Sequence, residues 1–503
     1  MNKMLQRHPC RALPLSCLMA TTLAMNAALA ALPAEVSAAL SMAGVPESAV
    51  SVWVAPADGA TPPRLTQGAQ TPRQMASVMK LFTTGVALQK LGPAYTWRTD
   101  IALDGALRPD GTLQGNLLMR GDGDPTLVTE RLMLLMSRLR QAGLRTIRGD
   151  WLLDRTAFQL DPHDPAAFDG EPLKPHNAGP DALLISHGAV LLRLRPDAAH
   201  PGLAQVSMEP VLADVTLAAR VRLDPTAACG DWRARLQLDA QPQAGSGTPA
   251  RWRISLNGSY PSACEEKEWP LLWPEASPNR HTERAIQASW AQAGGRLQGE
   301  VQPGTWPDGL KPWLSWVSPP LFQAVQDINK FSNNVMAQQL FLTLGRTAPQ
   351  PDKPVPGPTS LASARQVVAS WVDQATATTS QSAHPCGAAT LGLDNGSGLS
   401  RTSFASAECV GTWLQRLWNS PVMPELVASL PITGVDGTAR RFTETTGLGH
   451  IKTGSLDGVV AVAGIIQTAS GRRDVVVAVV NDPKADLARP ALRTLLKWAA
   501  DNP

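Results

Sequence analysis

The segment MASVMKLFTTGVALQKLG, residues 75–92, decides how this chain is interpreted, because it places a hydroxyl and an amine three positions apart. No other lysine in the 503 residues has a serine three positions before it. Residues three apart lie on the same face of a helix, so Ser77 and Lys80 would be neighbours. Pro72 before the segment and Gly92-Pro93 after it mark the ends of that helix. On its own, the pair is more typical of a surface helix.

The position of Ser77 in the first helical turn suits the hydroxyl and the amine to nucleophilic chemistry. Unpaired N–H groups and the helix dipole favour negative charge at that end of a helix. A lysine that is shielded from water can lose its proton and act as a base toward a hydroxyl. Ser77 is therefore a candidate nucleophile, and Lys80 is a candidate base.

Two distant motifs support this interpretation. Lys452-Thr453-Gly454-Ser455 contains the only K-[ST]-G of the chain, and the apolar runs 459–466 and 474–480 that follow it predict a hairpin. A residue as small as Gly454 in a strand indicates that another group approaches its backbone closely. Without the other motifs, Lys452 would be an ordinary lysine on an edge strand.

The third motif, S-x-N, is ambiguous because it occurs at 255–257, 277–279 and 332–334. The first copy lies in a strand-like alternation, and the second contains a proline and is typical of a loop. Only Ser332-Asn333-Asn334 begins an amphipathic segment, so it would place its polar groups at a helix entrance. Asn334 could alternatively be no more than a helix cap.

The three motifs, in this order, resemble those of the penicillin-recognising serine enzymes. The segments 118–127, 394–401 and 430–438 are similar to those of class C low-molecular-mass penicillin-binding proteins, the D-alanyl-D-alanine carboxypeptidase/endopeptidase family. This resemblance extends from about residue 35 to the C-terminus. It implies a serine D,D-peptidase that cleaves peptidoglycan stem or cross-link peptides through an acyl-enzyme, with β-lactam antibiotics as inhibitors.

The resemblance also implies a role for each site residue. Ser77 would attack the carbonyl, Lys80 would take its proton, Ser332 would relay a proton to the leaving amine, and Asn334 would bind a substrate amide. The N–H groups of Ser77 and Ser455 would form the oxyanion hole. The residues expected to bind substrate are Lys452, Thr453 and Ser455 at its carboxylate, Gly454 beside its backbone, and Arg401 at an acidic side-chain group.

The fold class expected from this resemblance is α+β: a transpeptidase/β-lactamase-like domain whose antiparallel sheet is covered by helices. Residues 99–274 contain short alternating runs and few helical signals, which predict a β-rich insertion. Helical character resumes near residues 283–293. We therefore expect the domain to consist of residues 31–98 and 275–503, and a C-terminal helix over 487–500 to pack on the sheet.

Residues 1–30 have the pattern of a signal peptide cleaved near Ala30, with basic residues, then an apolar stretch, then Ala28-Leu29-Ala30. Without them the basic and acidic residues balance at 42 each, so nucleic acid is not an expected partner. No later segment has the apolar length of a membrane span. The sequence thus predicts an exported, periplasmic protein and leaves peripheral membrane contact open.

Four cysteines follow the signal peptide, and an even number in an oxidising compartment indicates disulfides. We expect Cys229–Cys264 and Cys386–Cys409, since each pair falls within one expected domain, although free thiols remain an alternative. The cysteine spacing does not suit zinc and no H-E-x-x-H occurs, so neither a metal nor a cofactor is expected.

Three functions stay open at this point. The first is the D,D-peptidase, for which carboxypeptidase and endopeptidase activity cannot be separated because both use the same acyl-enzyme. The second is a β-lactamase of the same superfamily, which needs a fast deacylation step. The third is a non-enzymatic penicillin-binding sensor or scaffold whose site only becomes acylated.

Overall fold

A computed structural model describes residues 31–243, 250–275, 278–346, 357–377 and 384–502. The expected signal peptide lies outside these residues. The helices are α1 (Ala34–Ala43), α2 (Lys80–Leu91), α3 (Thr129–Gln141), α4 (Pro278–Gln292), α5 (Leu321–Phe331), α6 (Asn334–Gly345), α7 (Leu361–Thr376), α8 (Ala407–Trp418), α9 (Met423–Ser429) and α10 (Arg489–Asp501).

The strands follow in chain order. They are β1 (Val50–Pro56), β2 (Leu65–Gln67), β3 (Arg98–Leu107), β4 (Thr112–Arg120), β5 (Thr146–Ile147), β6 (Trp151–Asp154), β7 (Ala189–Pro196), β8 (Leu203–Glu209), β9 (Val215–Leu217), β10 (Arg220–Asp224), β11 (Leu236–Pro242), β12 (Trp252–Pro261), β13 (Lys267–Leu272), β14 (Arg296–Leu297), β15 (Val301–Pro303), β16 (Leu314–Val317), β17 (Leu391–Gly392), β18 (Phe404–Ala405), β19 (Gly449–Leu456), β20 (Val459–Gln467) and β21 (Arg473–Asn481).

One antiparallel sheet joins the two ends of the chain in the order β19-β20-β21-β1-β2. Strands β20 and β21 pair from Val459↔Asn481 to Gln467↔Arg473, so the predicted hairpin is confirmed. Nearly every residue of both strands is buried, because helices cover both faces of the sheet. The α+β fold class, with helices on a sheet and a β-rich insertion, is likewise confirmed.

The two faces of this sheet have different roles. On one face, α1 and α10 bury an apolar layer that includes Leu40, Val462 and Leu495. On the other face, a larger cluster surrounds α2 and includes side chains of α5 to α9. The first nine residues of α2 are buried, as expected for a helix at the centre of a core rather than at its surface.

The inserted region contains two further sheets. One has the order β11-β12-β10-β8-β7-β13 with β9 beside β12, and the other has the order β14-β5-β4-β3-β16 with β6 and β15. Residues along β7 alternate between buried and more exposed positions, as in a strand with one face on a core. This alternation is the pattern that predicted β-rich structure.

The insertion ends later in the chain than expected. Strands β14, β15 and β16 pair with β5, β6 and β3, and α4 packs against α3. The helical segment near 283–293, expected to begin the return to the first domain, packs with these inserted strands instead. The strand pairing extends past the expected boundary at 274, as far as Val317.

Both expected disulfides are formed, Cys229 with Cys264 in the insertion and Cys386 with Cys409 in the helical cluster. In the part of the chain that the structure describes, every helix is too short or too polar to cross a bilayer.

Candidate active site

Ser77 lies in a short 3₁₀ turn, Ala76–Met79, that leads directly into α2. The preceding Ala76 has φ 47°, a left-handed conformation that costs a residue with a Cβ about 1–2 kcal/mol. Two glycines from other segments pack closely against the backbone of this turn. A Cβ on Gly398 would collide with the carbonyl of Ala76, and one on Gly454 would lie 2.6 Å from the carbonyl of Met75. The turn that carries the serine is thus fixed by its neighbours.

Lys80 is the first residue of α2 and is fully buried. Its Nζ lies 3.0 Å from Ser77 Oγ, 2.6 Å from Asn334 Oδ1 and 2.5 Å from the carbonyl oxygen of Ser397. Burial, followed by the nearby charge of Lys452, lowers the pKa of Lys80 well below its ordinary value. The site therefore favours a neutral amine beside the serine hydroxyl.

Lys452 enters the same cleft from the edge strand β19. Its side chain is fully buried, and Nζ donates to Ser332 Oγ at 2.9 Å and to the carbonyl of Thr453 at 2.8 Å. Burial lowers the pKa of Lys452 to about 7. Two buried lysines thus lie in the same site, and neither of them donates a hydrogen bond to a carboxylate among the described residues.

The S-x-N motif forms the sharp connection between α5 and α6. Ser332 adopts φ 58° at the end of α5, and Asn333 caps α6 by accepting a hydrogen bond from the Met336 N–H at 3.0 Å. The capping role considered for Asn334 therefore belongs to Asn333. This leaves Ser332 and Asn334 to contact Lys452 and Lys80, respectively.

Gly454 is the point at which β19 approaches the serine turn. A Cβ at this position would lie 3.1 Å from the Ala76 Cβ and 3.2 Å from the Ser77 backbone nitrogen. Only glycine leaves enough space there, as expected from its position after Lys452-Thr453.

The other predicted site residues lie along the rim of the cleft. Thr453 Oγ1 is 2.7 Å from Thr438 Oγ1, and Ser455 Oγ accepts a hydrogen bond of 2.7 Å from Arg489 Nη2. Arg401 is exposed and donates to the carbonyl of Asp457, in the turn after β19. In this structure Arg401 makes no hydrogen bond to Ser77, Lys80 or Lys452.

Sequence reasoning missed several groups that shape the site. The acceptor on Ser397 is a backbone carbonyl, which no side-chain pattern identifies. Lys330 donates to Asp436 at 2.6 Å and so ties the end of α5 to the loop that carries Thr438. The segments 394–401 and 430–438 were singled out, but without roles for these residues. Arg489 was not considered because it begins the C-terminal helix, far from every motif.

Among the described residues, no group of three or more histidine, cysteine or acidic side chains is arranged to hold a metal ion.

Comparison with known proteins gives consistent matches. A sequence profile of the D-Ala-D-Ala carboxypeptidase 3 (S13) family matches residues 32–501. A D-alanyl-D-alanine carboxypeptidase of Actinomadura sp. strain R39 is 28% identical over 426 residues, covering 81% of this chain and 73% of the relative. The D-alanyl-D-alanine carboxypeptidase DacB of Haemophilus influenzae is 24% identical over 417 residues, covering 81% of this chain and 80% of the relative.

The fold has a solved counterpart as well. The crystal structure of penicillin binding protein 4 from Haemophilus influenzae superposes with a TM-score of 0.67 at 21% identity, covering 92% of this chain and 99% of that one.

Proposed function

The chain belongs to the D-Ala-D-Ala carboxypeptidase 3 (S13) family, and from that premise we propose that Ser77 is acylated by peptidoglycan stem or cross-link peptides. The family match and the named relatives make the protein a serine peptidase of the penicillin-binding superfamily. We further propose the reaction path, the role of each residue and an endopeptidase activity.

The environment of Lys80 is the observation that carries the proposal. A neutral amine has two N–H groups and one lone pair, and the amide oxygen of Asn334 and the carbonyl of Ser397 can each accept one N–H. The lone pair is then left for the hydroxyl proton of Ser77, 3.0 Å away. The lowered pKa of Lys80 supports the same protonation state.

Acylation then proceeds in balanced steps. Lys80 takes the proton of Ser77 Oγ as that oxygen bonds to the carbonyl carbon of the penultimate D-alanine. The N–H groups of Ser77 and Ser455 bind the oxyanion, each worth about 3 kcal/mol of barrier. Ser332 relays to the leaving amine the proton that Lys80 accepted, as the peptide bond breaks and the terminal residue departs, so Lys80 is neutral again. Water hydrolyses the ester and restores Ser77.

Substrate binding uses the edge of β19. Lys452, Thr453 and Ser455 bind the C-terminal carboxylate, and the peptide lies along the strand beside Gly454 as an added strand. Asn334 keeps its amide nitrogen for a substrate amide while its oxygen contacts Lys80. A β-lactam with its own carboxylate would enter the same site. The Haemophilus influenzae penicillin binding protein 4 has been solved with a β-lactam bound, which supports this step.

The insertion borders a cavity that reaches Ser332 and Asn334. This cavity of about 490 Å³ has residues 331–335 on one side and insertion residues 128–130, 186–187 and 189–191 on the other. This space supports binding of a longer peptide than D-Ala-D-Ala, as endopeptidase activity on a cross-link requires. Arg401 remains our candidate for an acidic group on that peptide, since its exposed guanidinium lies near the end of β19.

We propose an exported, periplasmic protein whose signal peptide is removed near Ala30. The two disulfides support an oxidising compartment. The proposed domain organisation is a transpeptidase-like domain in two parts, interrupted by the β-rich insertion.

Labelling with a fluorescent penicillin, together with D-alanine release from a D-Ala-D-Ala peptide, tests this function. Ser77→Ala should abolish both signals and leave the thermal midpoint nearly unchanged, whereas Ser470→Ala, in the exposed turn before β21, should retain both. Label that persists in Ser77→Ala would place the nucleophile elsewhere. Label that the wild type releases rapidly would favour a β-lactamase, and lasting label without peptide cleavage would favour a sensor.

A further inference from the structure

Arg489 occupies a position that the proposed chemistry does not yet use. It begins α10, and its Nη2 group donates to Ser455 Oγ at 2.7 Å and to Asp486 Oδ1 at 2.6 Å. Ser455 is the last residue of the K-T-G-S motif and lies on β19, the edge strand of the sheet. Helix α10 thus contacts the substrate-binding edge of the cleft as well as the core behind the sheet.

The hydrogen bond from Arg489 determines what the serine hydroxyl can do. A guanidinium only donates, so Ser455 Oγ must accept from it. The hydroxyl has a single O–H, which is then free to donate in another direction. Because the Ser455 side chain is exposed at the cleft edge, that O–H is available to a ligand oxygen.

Charge adds a second reason for an arginine at this position. The pKa of Lys452 is lowered to about 7, so this lysine carries only part of its charge at neutral pH. Arginine stays protonated at any physiological pH. Its partner Asp486 is largely exposed, at 70%, so solvent screens that ion pair. An anion bound near Ser455 therefore meets a lasting positive charge.

We propose that Arg489 is a positioning residue for carboxylate recognition, which holds the Ser455 hydroxyl as a donor toward the C-terminal carboxylate of the substrate. The inference rests on the proposed function, because it assigns Ser455 to that carboxylate. Through Arg489, α10 would help the enzyme to distinguish a free peptide C-terminus from an amidated one.

The test compares diacetyl-L-Lys-D-Ala-D-Ala with its C-terminal amide on the purified, disulfide-bonded chain. Arg489→Gln should lower kcat/KM for the carboxylate peptide about 10-fold, mostly through KM, as expected for one lost charge-assisted hydrogen bond. The amide peptide should change by less than about two-fold. Arg489→Lys should retain part of the preference because it keeps a donor and a charge.

Two controls separate positioning from general stability. Arg493, one turn further along α10, pairs with Glu444 at 3.1 Å, and Arg493→Gln should leave both peptides unaffected. The double variant Ser455→Ala/Arg489→Gln should lose no more than Ser455→Ala alone, because Arg489 acts through that hydroxyl.

Equal losses on both peptides, or an additive double variant, would overturn the positioning role while leaving the proposed function intact. A wild type that releases neither D-alanine from the carboxylate peptide nor D-alaninamide from the amide peptide would overturn both together.

Discussion

The proposed active site and the insertion both bury basic side chains, but they surround them in opposite ways. In the insertion, Arg284 of α4 is only 3% exposed, and it donates to both carboxylate oxygens of Glu275 and to the carbonyls of Ala213 and Ala250. In the cleft, Lys80 and Lys452 donate to hydroxyl, amide and carbonyl oxygens.

This difference separates the structural cation Arg284 from the two lysines of the proposed active site. A buried charge with a carboxylate partner is compensated and remains a charge. A buried lysine with only neutral acceptors gains stability by losing its proton, which is why the pKa values of Lys80 and Lys452 are lowered. The cleft thus contains lysines that can exchange protons, at a cost to the stability of the fold.

The largest expected effect comes from removing the amine at the centre of the cleft. Lys80→Met should slow acylation by penicillin about 100- to 10,000-fold, the range that a positioned general base contributes. Its thermal midpoint should stay the same or rise, because a buried amine is replaced by an apolar side chain of similar length. Stopped-flow labelling and calorimetry measure the two quantities.

The expectation for Lys80→Met would be contradicted by a variant that acylates at the wild-type rate. It would also be contradicted by a midpoint that falls sharply, since Lys80 would then have a structural role like that of Arg284.

The reverse result is expected in the insertion. Arg284→Met should lower the free energy of unfolding by about 3 kcal/mol, because it leaves Glu275 without its partner in a partly buried site. Acylation of the folded protein should continue at the wild-type rate. Chemical denaturation at neutral pH, with labelling at a temperature where the variant is folded, measures both.

A double variant sharpens the result for Arg284. In Arg284→Met/Glu275→Leu both members of the pair are removed, so much of the lost stability should return. Should Arg284→Met instead slow acylation, the insertion would contribute to the chemistry, and the contrast between the two regions would fail.

The parts of the site that the sequence predicts are those set by short-range spacing and by residue size. Ser77 and Lys80 are three residues apart, so their contact follows from helical geometry. Gly454 indicated a close approach before the approaching group was known, and the turn before α2 is that group. The choice among three S-x-N copies depended on which one entered an apolar helix, and Ser332 and Asn334 do contact the two lysines.

The remaining features depend on tertiary partners that periodicity does not specify. The apolar face of α4 has the same sequence pattern whichever sheet it packs on. The sequence therefore does not show that α4 packs with the inserted strands, beyond the expected boundary at 274. The carbonyl of Ser397 and the guanidinium of Arg489 reach the site only through folding of distant segments.

The last expected effect is a difference in the pH dependence of stability. The pKa of Lys452 is about 7 in the folded protein and near 10.5 in the unfolded chain, so between these values the unfolded state holds a proton that the folded state lacks. The free energy of unfolding must therefore rise with pH in that window, by up to about 1.4 kcal/mol per pH unit for one proton, and fall toward pH 7. Lys452→Met should remove the part of this rise that Lys452 contributes.

Lys80 contributes to the pH dependence as well, because its pKa is also lowered in the folded protein, mainly by burial, so part of the rise should persist in Lys452→Met. Denaturation curves from pH 7 to 10 measure the difference between wild type and variant. Arg284→Met should lower the curve without changing its slope, because arginine stays protonated throughout. Parallel curves for wild type and Lys452→Met would mean that the cleft keeps its lysines charged, and the two regions would then bury their cations alike.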